Sequence, residues 1–261
     1  MISRIVIGDP AHPDLTIERA TIEIEPRFGF PAIGRVTLVR PRLHGTWTDA
    51  GLSFGSLDKV LCGGERTEPF RLPDMNVAVI DARARVDGDH GPIDVKLAGR
   101  GALRDGFAGT LAATAPRLAF GTCAAEAASL TGRIVVTREQ PRFSGPVRLA
   151  VLDCAEQGLT LRGAGINVDG TADKTLDGGG AKLEIFSKTI TYGSNRARGL
   201  NGTIEAAYRK GGLTARYDVL GRGLASPHAR IATLAAQGTL PARPDFARTE
   251  QEGAREGAGR R

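Results

Sequence analysis

The residues best suited to metal or proton chemistry are four histidines, His12, His44, His90 and His228, which stand far apart with no metal-ligand spacing. His90 lies in Asp87-Gly88-Asp89-His90-Gly91, which has the outline of a cation loop. An EF-hand loop needs Glu at its twelfth position, and Ala98 stands there. A hydrated hairpin turn is expected instead. Gly51-Leu52-Ser53-Phe54-Gly55 matches the G-x-S-x-G nucleophile elbow. That elbow works only on a parallel sheet with crossover helices, and nothing in the pattern supplies them. Gly63-Gly64 and the run Gly178–Gly180 precede no Lys-Ser/Thr pair on a helix, so they are not phosphate loops. Asp87 and Asp89 have the residue types of a glycosidase carboxylate pair, but acids in a turn are commonly solvated turn formers. Cys62, Cys123 and Cys154 form an odd set without C-x-x-C spacing, which excludes a zinc knuckle and a multi-disulfide scaffold. One bridge, Cys123–Cys154, and three buried thiols both remain open. The residues therefore predict no enzyme, no metal and no cofactor.

The elements that would position any site are strands. Ile93, Val95, Leu97, Gly99, Gly101 and Leu103 alternate with Asp94, Lys96, Ala98, Arg100, Ala102 and Arg104. This period of two makes one face apolar and the other mostly polar. Asp105-Gly106 predicts a type I′ hairpin, and Phe107, Gly109, Leu111, Ala113 and Ala115 return the apolar face. The pattern recurs through Leu130–Val136, Phe143–Val151, Leu159–Val168, Leu183–Tyr192, Leu200–Tyr208 and Leu213–Val219. Apolar parity slips by one residue at Gly163, which predicts a β-bulge. The expected fold is all-β: a long, curved antiparallel meander over 76–240. Residues 1–75 read as an irregular β region with a kink at Arg40-Pro41-Arg42 and one short helix near 56–62, N-capped by Ser56. Residues 241–261 carry five Arg and four acids with no Val, Ile or Leu, and are expected to be a disordered charged tail.

Glycine supplies 35 of 261 residues and aromatics only 5%, so any core rests on Ala, Leu, Val and Ile. No run reaches the ~18 apolar residues of a spanning helix, and Asp9, Pro10 and His12 interrupt the only apolar start. The net charge of +6 is interleaved with acids, which points to a mixed surface and away from nucleic acid. An apolar sheet face must be covered. Two answers stand: the sheet closes on itself, or it curves into a trough left open for an apolar ligand.

Ile22-Glu23-Ile24-Glu25-Pro26-Arg27-Phe28 and Val36-Thr37-Leu38-Val39-Arg40-Pro41-Arg42-Leu43 resemble the opening of AsmA-like and TamB-like proteins. Trp47–Asp58 and Pro69–Asp74 continue the resemblance, which is most similar to the YdbH family, also labelled a "dicarboxylate transport" domain. It covers about residues 1–240 and is strongest over 36–120. It implies a periplasmic lipid transporter, anchored in the inner membrane in the full-length family, whose apolar groove carries phospholipid acyl chains toward the outer membrane. It also implies that this chain, with no anchor and less than the family's length, is a fragment. Phospholipid is the expected partner. The expected groove lining is Leu97, Leu103, Phe107, Leu111, Ile134, Val136, Val147, Leu149, Val151, Ile204, Leu213 and Tyr217. The alternatives are an envelope scaffold with a filled interior and, behind it, a β-rich hydrolase.

Overall fold

A computed structural model describes residues 1–25, 32–48, 51–58, 71–209 and 212–242. They form one sheet of 16 strands. Its first strands are β1 (Ile2–Asp9), β2 (His12–Glu25), β3 (Ala32–Val39), β4 (Arg42–Thr48) and β5 (Gly51–Ser53). The long strands follow: β6 (Asn76–Gly88), β7 (Ile93–Ala102), β8 (Ala108–Phe120), β9 (Cys123–Thr137), β10 (Gln140–Cys154), β11 (Leu159–Ala172) and β12 (Gly178–Tyr192). The last are β13 (Asn195–Ala197), β14 (Gly199–Arg209), β15 (Gly212–Ala225) and β16 (Arg230–Ala242). From β6 onward the sheet is an antiparallel meander, as the alternation implies.

The N-terminal strands depart from a pure meander. β3 and β4 behave as one strand bent at Arg40-Pro41, and both pair in parallel with β6, through Val39–Ile80 and Arg42–Arg83. Arg40 takes a positive φ of 49°, so the kink expected there is a left-handed residue. Pro41 lacks an N–H, and its carbonyl accepts from Arg83 N at 2.9 Å. A parallel pair needs a crossover, which leaves β5 through a 3-10 turn at Gly55–Leu57. The predicted helix near 56–62 is described only at this start; residues 59–62 and Cys62 lie outside the described residues. Ser56 is not its N-cap. Phe54 holds that position, and the Ser56 hydroxyl and N–H both donate to Asp14 Oδ2, at 2.6 and 2.9 Å, tying the crossover to β2.

Asp105-Gly106 is not a two-residue turn. Gly106 has positive φ (101°) but Asp105 does not, and β7–β8 pairing begins only at Arg100–Ala108. The intervening segment is drawn to its neighbours: Leu103 N donates to Met75 O, Gly106 N to Val136 O, and Val136 N to Phe107 O. A tight two-residue turn occurs instead at Arg138-Glu139, where φ is 52° and 65° and Thr137 pairs with Gln140. Its residue types gave no signal, because neither is Gly, Asn or Asp. The neighbouring turn supports it: Arg138 N donates to Asp105 Oδ1 and Glu139 N to Arg104 O. Cys123 and Cys154 face each other at the ends of β9 and β10 and are joined by a disulfide.

Candidate apolar groove

Register places the apolar residues of successive strands in rows. One row runs Leu97–Leu111–Gly132 across β7, β8 and β9. It continues through Gly145, which abuts Gly132, to Val168, Leu183, Ile204, Tyr217 and Gly238 on β16. Nine strands, β7 to β12 and β14 to β16, thus share a face on which every side chain of this row is apolar or absent. Ile134 pairs with Phe143, Leu130 with Val147, Leu149 with Ala164, and Leu213 with Tyr208, all on the same face. The opposite face carries Lys96, Arg133, Arg148, Asp169, Lys182, Glu205 and Arg216, all exposed to solvent.

No second layer covers the apolar face among the described residues. The row residues Leu97, Leu111, Val168, Leu183, Ile204 and Tyr217 are only half-buried, where a sandwich core would bury them. Among the described residues buried apolar side chains are few, and no large one is sealed off completely. Cavities lie along this face instead. One of about 460 Å³ is lined by Ile134, Phe143, Tyr208 and Leu213. Another, of about 350 Å³, is lined by Ile190, Leu200, Val219, Leu224, Ile231 and Leu234.

The second cavity sits on a line of missing ladder pairs that crosses the sheet. Register skips Pro116/Ala127, Ala127/Ala150, Ala150/Gly163, Gly163/Lys188 and Gly223/Ala232. Ala127 (φ 49°), Gly163 (58°) and Gly223 (57°) are left-handed on that line. The β-bulge expected at Gly163 is absent: register is unchanged across the skipped Ala150/Gly163 and Gly163/Lys188 pairs, and the left-handed glycine is one point on a crease that touches seven strands. Each strand changes phase there, so that one side of the sheet stays apolar. Val219 and Gly221 above the crease and Leu224 below it line the same cavity, as do Leu234 above and Ile231 below. The pairing register is the same on both sides of each skipped pair, so no strand carries an extra residue there and the line is a crease without a bulge. A cavity touching both arms marks the apolar face as the inner side of that crease.

The twelve expected lining residues separate into groups. Leu97, Leu111, Ile134, Val147, Leu149, Ile204, Leu213 and Tyr217 share the apolar face. Phe107 and Val136 are buried at 5% and 4% exposure, joined by the Val136 N–Phe107 O hydrogen bond, and form a local core at one rim. Leu103 has left β7 for the turn. Val151 is displaced: it lies past the crease, opposite Glu126 and Arg162, so its register face is the charged one. Sequence reading overlooked the residues of the second cavity, because only the phase change at Gly223 puts Leu224 and Ile231 on the same side as Val219.

Three glycines of the apolar face, Gly99, Gly132 and Gly238, do not leave ligand space, as their size alone would imply. A Cβ at Gly99 would meet Phe107 Cζ at 2.6 Å, one at Gly132 would meet Phe143 Cζ at 2.5 Å, and one at Gly238 would meet Tyr217 Oη at 2.7 Å. Aromatic rings from the neighbouring strand occupy those positions.

The chemistry-bearing residues are engaged structurally. Ser53 Oγ donates to Asp58 Oδ2 and accepts from Gly55 N. Asp87 pairs with Arg85. His90 is no freely hydrated turn residue: its Nδ1 lies 2.9 Å from Ala119 O, and its ring lies 4.5 Å from that of Trp47. No cluster of three or more metal-ligating side chains occurs among the described residues. On the convex face the hydrogen bonds from Arg142 hold the Asp169 carboxyl below its usual range, and those from Arg42 do the same for Asp81.

A protein-family model described as "YdbH-like: Intermembrane phospholipid transport protein YdbH" matches residues 1–256. The chain belongs to the YdbH-like family. Neither the curated proteins nor the solved structures contain a match. Membership in a family of intermembrane phospholipid transport proteins fits a YdbH-like chain whose one sheet carries a long apolar face. No helix among the described residues is long and apolar enough to cross a membrane.

Proposed function

We propose that the concave face shields phospholipid acyl chains from water as they pass between the two membranes of a bacterial envelope, and that the chain works in the periplasm without catalysis. The observation that carries this reading is the uncovered apolar row from Leu97 to Tyr217. Each methylene kept from water gains about 0.8 kcal/mol, so a chain of about fifteen methylenes left in water costs on the order of 12 kcal/mol. A trough of half-buried Leu, Ile and Val removes most of that cost while leaving the headgroup hydrated at the open side. Passage along it needs contact that is uniform and weak at each step, which dispersion supplies. The Cys123–Cys154 bond supports an oxidising compartment.

The test is native mass spectrometry of the purified chain. Copurifying phospholipid is expected. Leu149→Asp is expected to remove it while the circular dichroism of the sheet persists. A well-folded chain free of lipid, unable to take it from vesicles, would favour the envelope scaffold.

A further inference from the structure

Another cavity, of about 580 Å³, lies on the polar face of the sheet near the Arg138-Glu139 turn. Its lining includes Arg133 and Thr137 of β9, Arg138 of the turn, and Gln140, Arg142 and Ser144 of β10. Register puts the strand residues on one side: Arg133 lies opposite Ser144, Val135 opposite Arg142, and Thr137 opposite Gln140. All are one residue out of phase with the pair Ile134–Phe143, so the sheet separates this cavity from the apolar face. Among the described residues no carboxylate lines it. Asp169 stands nearby and accepts from Nε and Nη2 of Arg142, which leaves Nη1 of that guanidinium for another acceptor. Glu139, next to Arg138 in the chain, has its Oε1 4.0 Å from Arg104 Nε.

Arg138 stands where a hairpin turn favours other residues. Its φ is 52° and that of Glu139 is 65°. A two-residue turn with both φ positive suits Asn-Gly, and longer side chains hold that backbone at a conformational cost. The neighbouring turn holds it in place, through Arg138 N to Asp105 Oδ1 at 3.1 Å and Glu139 N to Arg104 O at 2.6 Å. The strained residue is thus also the one whose long cationic side chain lines the cavity, and strain of this kind gathers where a ligand is held.

We propose that this cavity binds a small soluble phosphate ester or diphosphate, through Arg133, Arg138 and Nη1 of Arg142, with Thr137, Gln140 and Ser144 as neutral donors. The inference goes beyond the acyl-chain reading and does not depend on it. Donors reach the cavity from two strands and a turn. A tetrahedral phosphate offers oxygens in all those directions, whereas a carboxylate offers two in one plane. Arginine gives a phosphate paired donors in a fixed fork. The recess also decides the source of the phosphate, because a small molecule enters it and the flat surface of a bilayer does not.

The experiment is calorimetric titration of the full chain with pyrophosphate. Saturable binding at one site is expected. Arg133→Gln and Arg138→Gln should each weaken it about fivefold, the scale of one partly exposed charge contact. Arg216→Gln, on the same face of β15, should leave it unchanged, and an equal loss there overturns a defined site in favour of general charge attraction. Arg138→Asn should weaken binding while the melting temperature holds or rises, since Asn accepts a positive φ. A lower melting temperature with unchanged binding overturns the assignment of Arg138. Cosedimentation with phosphatidylglycerol vesicles that is lost in the Arg133→Gln, Arg138→Gln double variant overturns the soluble source. Binding that emerges only when Asp245, Glu250, Glu252 and Glu256 are replaced by their amides overturns an external ligand in favour of the chain's own acids. No binding of pyrophosphate by either the wild type or that amide variant overturns the site.

Discussion

At the scale of the residue, the apolar face is shaped by pairs of glycine and aromatic side chains. Phe143 lies over Gly132, and Phe107 over Gly99. A side chain at either glycine must displace a ring held between strands, and overpacking of this kind costs about 1–3 kcal/mol. Gly132→Val is expected to lower the denaturation midpoint by an amount in that range, measured by urea titration, whereas Gly212→Ala, at a glycine with no side chain within 4 Å, is expected to be nearly neutral. The carboxylates give a second residue-level expectation. Hydrogen bonds lower the pKa of Asp14 from Ser56, of Asp81 from Arg42 and of Asp169 from Arg142. A carboxyl depressed in the fold contributes stability that is present above its unfolded pKa and is lost as pH falls through the folded value. Stability should therefore hold steady down to about pH 4–5 and fall below it. Asp169→Asn should make the acid limb of the melting curve shallower, and an unchanged limb would show that the exposed Arg142 pair contributes nothing measurable.

At the scale of the element, the crease decides the shape. Strand identity was legible because alternation with period two is strong from Ile93 to Val219, and the slip at Gly163 was legible because glycine marked it. Ala127 gave no such mark, since alanine carries no left-handed signal and the ladder skips it on both sides. The Arg138-Glu139 turn and the parallel pairing of β3 and β4 with β6 escaped notice for the same reason: each is fixed by neighbours distant in sequence. Ala127→Gly is expected to raise stability slightly or leave it unchanged, because glycine relieves the positive φ at the cost of a looser unfolded chain. Gly163→Val is expected to cost about 2 kcal/mol or more, since a β-branched residue at φ 58° is strained and its Cβ would press on Lys188. Thermal melts of the two variants together separate a crease that is held by register from one that rests on a single glycine. The disulfide belongs to this scale too. It closes a hairpin with a sequence separation of 31, which on the chain-entropy account contributes about 3–4 kcal/mol. Since β9 and β10 are already paired along their length, reduction is expected to lower stability without opening the sheet, read as a shifted melting midpoint with an unchanged far-ultraviolet spectrum.

At the scale of the whole molecule, the question is why a sheet of this size leaves its apolar side open. A sandwich needs two sheets whose faces meet, and among the described residues every strand lies in one sheet. Because the crease runs across the strands, the trough it forms runs along the strand order, and each added strand lengthens it by about 4.8 Å. On the proposed function the row from Leu97 to Tyr217 would serve as a path, because neighbouring strands present nearly equivalent apolar contacts. This equivalence makes a prediction that a single binding site does not share. Leu111→Asp near one end of the row and Ile204→Asp near the other should both slow delivery of a tail-labelled phospholipid from one vesicle population to a second, because a charge at any point of a path blocks the whole of it. Arg216→Asp, on the convex face one residue from Tyr217, should leave delivery unchanged. A discrete pocket would respond at one end only. Delivery that survives both Leu111→Asp and Ile204→Asp would mean that lipid does not travel along this row, whatever it binds elsewhere on the sheet.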